Sequence, residues 1–385
     1  MLIEIVPPVR REAAASGVDA PRKAYVELTT GCSLDCAMCL RRAFEEPGGE
    51  ITLGTFRRVV EQSAELPSLK TLSFGGYGEP MAHPLFAEFL ALAKGAGLVV
   101  EVMTNGTLLT RELLVELLRL RLDKLVVSLD SVGEAAGTSL HSGTFPAVAA
   151  SLRMLYRMRL ERGAERPEVA VEFVATKRNI AELPGLVRLA PQLGFSSVLV
   201  TNLVPHTPEL ARDILYDGWA TAAHRRLETP WDPAVDLPLL DARSAASEVV
   251  ERLRATGAWV RVRGAEVSGG DPRCPFVAEG RLAVRWDGAV SPCLPLMHSH
   301  GYYFRDKPKR IRSYALGNVN EARLGELWHG SEWRAFRQRV REFAFAPCIE
   351  CGGCDLREDN EEDCFGDDFP RCGECLWAAG IVQCP

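Results

Sequence analysis

The chain has 385 residues, 47% hydrophobic and 25% charged, with a formal net charge of −6. That composition suits a soluble protein of two or three domains and excludes a disordered, coiled-coil or collagen-like chain. With no excess of positive charge, nucleic acid and anionic membrane surfaces are not expected partners.

Residues 1–20 form an N-terminal extension. The opening Met1-Leu2-Ile3-Glu4-Ile5-Val6-Pro7-Pro8 lacks the basic segment and apolar core of a signal peptide. No apolar run approaches the ~18 residues of a membrane span, so a cytoplasmic location is expected. The pattern then alternates. Strands are predicted at Tyr25–Thr30, Lys70–Phe74, Leu98–Met103, Lys124–Leu129, Val169–Ala175 and Ser197–Thr201. Helices are predicted at Leu53–Leu66, Leu85–Ala96, Arg111–Leu120, Phe145–Glu161 and Ile180–Leu193. Strands rich in Val and Leu, alternating with helices, predict right-handed βαβ units closing into a partial (β/α)6 barrel of TIM-like type over residues 21–268. In such folds chemistry gathers at the carboxyl ends of the strands.

The alternation fails over residues 203–240, a proline-rich stretch read as an insertion or lid. Helix Ala242–Thr256 and strand Ala258–Val262 follow, and Gly269-Gly270-Asp271-Pro272 marks a boundary. Residues 269–385 form a cysteine-rich, loop-rich domain whose one periodic helix is Leu324–Phe343. So little apolar periodicity implies a domain that depends on metal to fold.

The 12 cysteines fall into two groups, Cys32, Cys36 and Cys39, then nine from Cys274 to Cys384. In a reducing compartment such clustered thiols read as metal ligands rather than disulfides. Cys32-x3-Cys36-x2-Cys39 follows the first strand. Three thiolates can hold three irons of a [4Fe–4S] cube and leave the fourth open; with a distant His they could instead hold zinc. Gly75-Gly76-Tyr77-Gly78-Glu79-Pro80, Thr104-Asn105-Gly106 and Ser128-Leu129-Asp130-Ser131 follow the next three strands.

In this register the motifs resemble the radical S-adenosylmethionine (SAM) superfamily, with Met38 where an aromatic residue is usual. The resemblance implies that Cys32, Cys36 and Cys39 bind the catalytic cluster, whose open iron binds SAM for cleavage to a 5′-deoxyadenosyl radical. It also implies SAM contacts from Gly75, Gly76, Gly78, Glu79, Asn105, Ser128 and Asp130.

Cys274-x13-Gly288-x4-Cys293, Cys348-x2-Cys351-x2-Cys354, Cys364, Cys372-x2-Cys375 and Cys384 resemble the SPASM extension, which carries two auxiliary [4Fe–4S] clusters. The later spacing departs from its usual form, and zinc ribbons are the alternative. The expected partition gives Cys274, Cys293 and Cys364 to one cluster, and Cys348, Cys351, Cys354 and one late cysteine to the other. The tail, from Cys351-Gly352-Gly353-Cys354 to Gln383-Cys384-Pro385, resembles the radical SAM maturases of tungsten-containing oxidoreductases.

The expected function is radical maturation of a tungsten oxidoreductase or its cofactor, with a ferredoxin or flavodoxin as reductant. Competing readings are modification of a ribosomal precursor peptide, a non-catalytic iron–sulfur scaffold, and a molybdenum-pterin GTP-cyclising enzyme. His298-Ser299-His300 is unassigned, and the basic run Lys307–Arg312 reads as a solvated loop or an anion dock.

Overall fold

The structure is a computed structural model that describes residues 19–132, 143–216, 234–237, 248–249, 252–253, 259–262, 274–304, 307–346, 348, 358–366 and 368–385. Strands β1 (Lys23–Val26), β2 (Thr71–Phe74), β3 (Val99–Thr104), β4 (Lys124–Ser128), β5 (Glu168–Ala175) and β6 (Ser197–Asn202) lie side by side in chain order, all parallel. Helices α1 (Leu53–Ala64), α2 (Phe86–Gly95), α3 (Arg111–Arg119) and α4 (Phe145–Arg162) make the crossovers between strands. Local chemistry sets their ends. Thr52 and Thr110 accept hydrogen bonds from the Thr55 and Leu113 amides at the starts of α1 and α3. Gly163, with φ of 57°, stops α4.

Alternation along the strands sorts two faces. Ala24, Leu72, Val100, Leu125, Val169 and Val198 pack into one continuous core with the helices. Their neighbours form rows across the other face, one of them Tyr25, Ser73, Glu101, Lys124 and Glu168. A closed TIM barrel fills this interior with branched apolar side chains. Here it is polar, and Ser128, Glu172 and Thr201 reach a cavity of about 280 Å³.

The six expected barrel strands are all present, and the sheet continues beyond them at both edges. At one edge β7 (Ala234–Leu237) and β8 (Trp259–Val262) add in parallel after β6. The stretch read as a lid thus contributes a sheet strand, while residues 217–233 and most of the helix expected at 242–256 lie outside the described residues. At the other edge β9 (Arg281–Val284) pairs in parallel with β1, and β10 (Val290–Ser291) runs antiparallel to β9. The cysteine-rich part therefore opens by extending the barrel sheet.

Two expected helices are broken. Ile180–Leu193 divides into a 3-10 turn (Ile180–Glu182), α5 (Leu183–Arg188) and α6 (Ala190–Leu193), with Pro184 and Pro191 each in a first turn. Proline lacks the amide that would continue a preceding helix. Leu324–Phe343 divides at Gly330 into two helices, Leu324–His329 and Ser331–Glu342.

Candidate active site and cluster-binding cysteines

The cysteine loop starts where β1 ends, and backbone contacts fix it. The Glu79 amide donates to the Gly31 carbonyl at 2.8 Å, laying the glycine-rich segment against the chain that enters the loop. A Cβ on Gly78 would stand 1.9 Å from the Thr29 carbonyl oxygen, so only glycine fits there. Gly76 holds φ at +151° beside Glu27. Within the loop, Arg41 Nε donates to Cys39 Sγ at 3.3 Å and its guanidinium also donates to the carbonyls of Thr30 and Leu34. Asn105 Nδ2 reaches Cys32 Sγ at 3.4 Å and Ser33 Oγ at 3.1 Å.

Cys32, Cys36, Cys39, Gly75, Gly76, Gly78, Glu79, Asn105, Ser128 and Asp130 all line the 280 Å³ cavity. Their side chains do different work. Buried Glu79 accepts from the Met81 and Asn105 amides and the Thr104 hydroxyl, tying the ends of β2 and β3 together. It is a brace, and its carboxylate is taken up by protein donors. Asp130 Oδ1 accepts from the Val174 amide at 2.8 Å, joining the ends of β4 and β5.

Several cavity residues carried no signal strong enough to be singled out. Glu172, opposite Ser128 in the strand register, has its carboxyl pushed up to about 7 by burial and then by Asp130, against a bond from Ser128. The Tyr77 hydroxyl donates to the Leu294 carbonyl at 3.2 Å. Burial first, then the nearby Cys384 and Cys293 thiols, hold its pKa well above that of a free phenol.

Four of the late cysteines share one buried environment. Burial pushes the thiols of Cys274, Cys293, Cys372 and Cys375 up. At Cys274, Cys293 and Cys372 the next largest cause is another thiol of the same four. So Cys372 and Cys375 stand beside Cys274 and Cys293, where Cys364, which is exposed, had been expected. Leu376, Trp377, Ile381 and Val382 pack with Tyr25, Phe276 and Leu294 in one apolar cluster, and this folds the Cys372–Cys375 turn back. Cys348 is buried beside Arg371, whose Nη1 lies 3.6 Å from its sulfur. Cys351 and Cys354 lie outside the described residues.

Cys384, expected as a cluster ligand, lines the same cavity as Cys32, Cys36 and Cys39. Residues 381–385 are drawn into the barrel. Asn202 Nδ2 donates to the Ile381 carbonyl at 2.9 Å, and the Gln383 amide donates to Thr201 Oγ1 at 2.9 Å. Lys23 and Tyr25 both donate to the Pro385 carbonyl. Burial pushes the Cys384 thiol up to about 12.

The remaining motifs serve as fasteners. His298 Nε2 lies 2.9 Å from Glu27 Oε2 and its ring stacks on Phe44, while Ser299 bonds Glu46. The basic run forms a hairpin of β11 (His300–Phe304) and β12 (Lys307–Ile311), with Lys309 paired to Glu374 and Arg310 to Glu45. These cations have internal partners.

The donor chemistry fits iron–sulfur clusters. Four buried thiols that oppose one another's ionisation are a set that bound cationic metal would stabilise as thiolates.

Fold and site together are those of a radical SAM enzyme with an appended iron–sulfur domain. The profile of the radical SAM superfamily matches residues 26–176, and that of SPASM, an iron–sulfur cluster-binding domain, matches residues 274–355. The chain is 31% identical over 365 residues to the tungsten-containing aldehyde ferredoxin oxidoreductase cofactor-modifying protein of Pyrococcus furiosus, covering 94% of this chain and 96% of that one, and it belongs to the same radical SAM family. A PqqA peptide cyclase of Gluconobacter oxydans is 28% identical over 346 residues, 87% of this chain and 85% of that one. Streptococcus suis SuiB, solved bound to S-adenosylmethionine, shares the fold with a TM-score of 0.56 at 14% identity, over 87% of this chain and 71% of that one. The cofactors are accordingly a SAM-binding [4Fe–4S] cluster, SAM, and auxiliary iron–sulfur clusters. No described helix is long and apolar enough to cross a membrane.

Proposed function

We propose that the protein uses radical SAM chemistry to modify a tungsten-containing oxidoreductase of the aldehyde ferredoxin type, or the cofactor that enzyme carries. The observation that supports this substrate is the relationship, over nearly the whole of both chains, to a protein that modifies such a cofactor. Bound at the cavity, cluster and SAM supply a 5′-deoxyadenosyl radical that removes a hydrogen atom from substrate. The chain's own residues prepare the place. Cys32, Cys36 and Cys39 hold the cluster, and Arg41 and Asn105 orient the loop by bonds to two of the sulfurs. Gly75, Gly76 and Gly78 bring strand-end backbone to SAM, with Ser128 beside it, while Glu79 and Asp130 fix the loops that carry them.

In the cysteine-rich part, taken as residues 269–385, Cys274, Cys293, Cys372 and Cys375 form one auxiliary ligand set. Cys348, Cys351, Cys354 and Cys364 are left for a second. The partners are the oxidoreductase and a low-potential donor of ferredoxin or flavodoxin type, in the cytoplasm. Similarity to a PqqA peptide cyclase supports a second reading, a precursor peptide as substrate.

The test is anaerobic incubation of reconstituted protein with SAM, dithionite and either an aldehyde-oxidising tungsten enzyme freshly produced without this protein, or candidate short peptides. Faster 5′-deoxyadenosine formation with a changed retention time or mass of the pterin cofactor or of a fragment of the enzyme is expected. Such a change on a peptide alone would replace this reading with the second.

A further inference from the structure

We propose that Cys384 is a catalytic residue, the hydrogen-atom donor that ends the radical reaction in this cavity; the inference rests on the radical SAM reading above. Three observations carry it. First, Cys384 lines the same cavity as Cys32, Cys36 and Cys39. Second, it is held in place. The Trp377 indole N–H donates to its sulfur at 3.1 Å. The Gln383 amide donates to Thr201 Oγ1, and Asn202, Lys23 and Tyr25 donate to the Ile381 and Pro385 carbonyls, fastening the residues on either side of it. Third, the residue before it is anchored as well: Gln383, buried at the cavity, donates through Nε2 to the Val200 carbonyl.

The strand direction sets the geometry. The cysteine loop follows the carboxyl end of β1, at the rim of the barrel. Lys23, which holds Pro385, opens the same strand at the other end, beside Arg281 of β9. Ile381 and Gln383 are bound at the carboxyl end of β6, so the segment that carries Cys384 runs along the cavity wall from rim toward floor.

The balance is complete. The 5′-deoxyadenosyl radical breaks a substrate C–H bond and becomes 5′-deoxyadenosine. The carbon radical then takes a hydrogen atom from Cys384, breaking the S–H bond and forming a stronger C–H bond. The Cys384 thiyl radical returns to thiol with one solvent proton and one electron from the low-potential one-electron donor that SAM cleavage already requires. The substrate is neither oxidised nor reduced.

The test needs no identified substrate. Full-length protein, reconstituted anaerobically with iron and sulfide and exchanged into D2O, is given SAM and dithionite alone. The Cys384 thiol is then S–D, a weak bond in the cavity where the radical forms. Native protein is expected to yield 5′-deoxyadenosine carrying one deuterium. In Cys384→Ala and Cys384→Ser the deuterated fraction falls several-fold, with iron per chain and the spectrum of the reduced clusters matching native. The serine variant keeps an acceptor for Trp377 and the shape of the tail, but its O–H bond is too strong to serve. Equal deuterium in native and variant product, or undeuterated native product, overturns the proposal. So does loss of one cluster's iron from Cys384→Ala, which makes Cys384 a ligand. No 5′-deoxyadenosine from native protein overturns the radical reading itself, and this inference with it.

Discussion

At Glu172 burial has a consequence for stability that can be measured. Its carboxyl rises from an ordinary 4.5 to about 7 in the folded chain, so across that interval the folded state keeps a proton that the unfolded state has released. Its contribution is therefore full below about 4.5 and is lost as pH rises through about 7, a swing of ~3 kcal/mol. Glu172→Gln cannot ionise. Its stability relative to native should grow between pH 5 and pH 8, read from denaturation of equally reconstituted proteins, and a constant difference would contradict the assignment. Gly78 is constrained by sterics instead. A Cβ 1.9 Å from the Thr29 carbonyl meets backbone, which cannot swing aside as a side chain can. Gly78→Ala should shift the cysteine loop and weaken SAM binding by at least tenfold, ~1.4 kcal/mol, in equilibrium titration. Gly95→Ala, with nothing near its Cβ, is the control. Cysteines and glycines were legible because their types leave few alternatives. Glu172 had a signal, a lone acid in the apolar run Val171-Glu172-Phe173-Val174, which strand alternation turns toward the cavity. Arg41 had none, since an arginine two residues past a cysteine reads as surface until the carbonyls it grips are seen.

Among elements, β1 to β6 and α1 to α4 were readable because each buries a periodic apolar face against the same core. The two broken helices kept that periodicity, and what divided them was Pro184, Pro191 and Gly330, local breakers inside a sound pattern. The tail, residues 381–385, was opaque for a different reason. Its position depends on side chains about 180 residues or more away in sequence, none of which has a local signature. Asn202 is the most direct lever. Its Nδ2 donates to the Ile381 carbonyl inside the protein, and Asn202→Ala strands that acceptor. We expect a loss of ~1–3 kcal/mol, the cost of an unsatisfied buried group. Amide exchange should quicken at residues 381–384 while β2 and β3 keep native protection. Uniform exchange across the barrel would show that the tail is held by its apolar contacts alone.

For the molecule as a whole, the cysteine-rich part is joined to the barrel by shared sheet and shared cavity. β9 pairs with β1, and Leu294, Trp377 and Cys384 line the same space as the first three cysteines. Sequence spacing could not reveal this, because thiols that assemble through packing need not be neighbours in a motif. Cys372 and Cys375 reach Cys274 and Cys293 only because Leu376, Trp377, Ile381 and Val382 find the Phe276 cluster. That packing separates the two partitions by a count. If Cys274, Cys293, Cys372 and Cys375 hold one cluster, Cys274→Ala/Cys293→Ala should lose about four irons per chain, and Cys372→Ala/Cys375→Ala the same four. The quadruple variant should then lose no more than either pair. Under the partition drawn from spacing, the Cys372/Cys375 pair would lose either another four irons, so that the quadruple variant loses about eight, or none at all. Iron analysis alone decides, provided each variant remains soluble and keeps the barrel's far-UV signature. Metal removed from this set should also loosen the cavity wall, since the turn carrying Cys372 and Cys375 leads directly into Trp377 and the segment that presents Cys384. Deuterium transfer to 5′-deoxyadenosine should therefore fall in either pair, even though Cys32, Cys36 and Cys39 are unchanged.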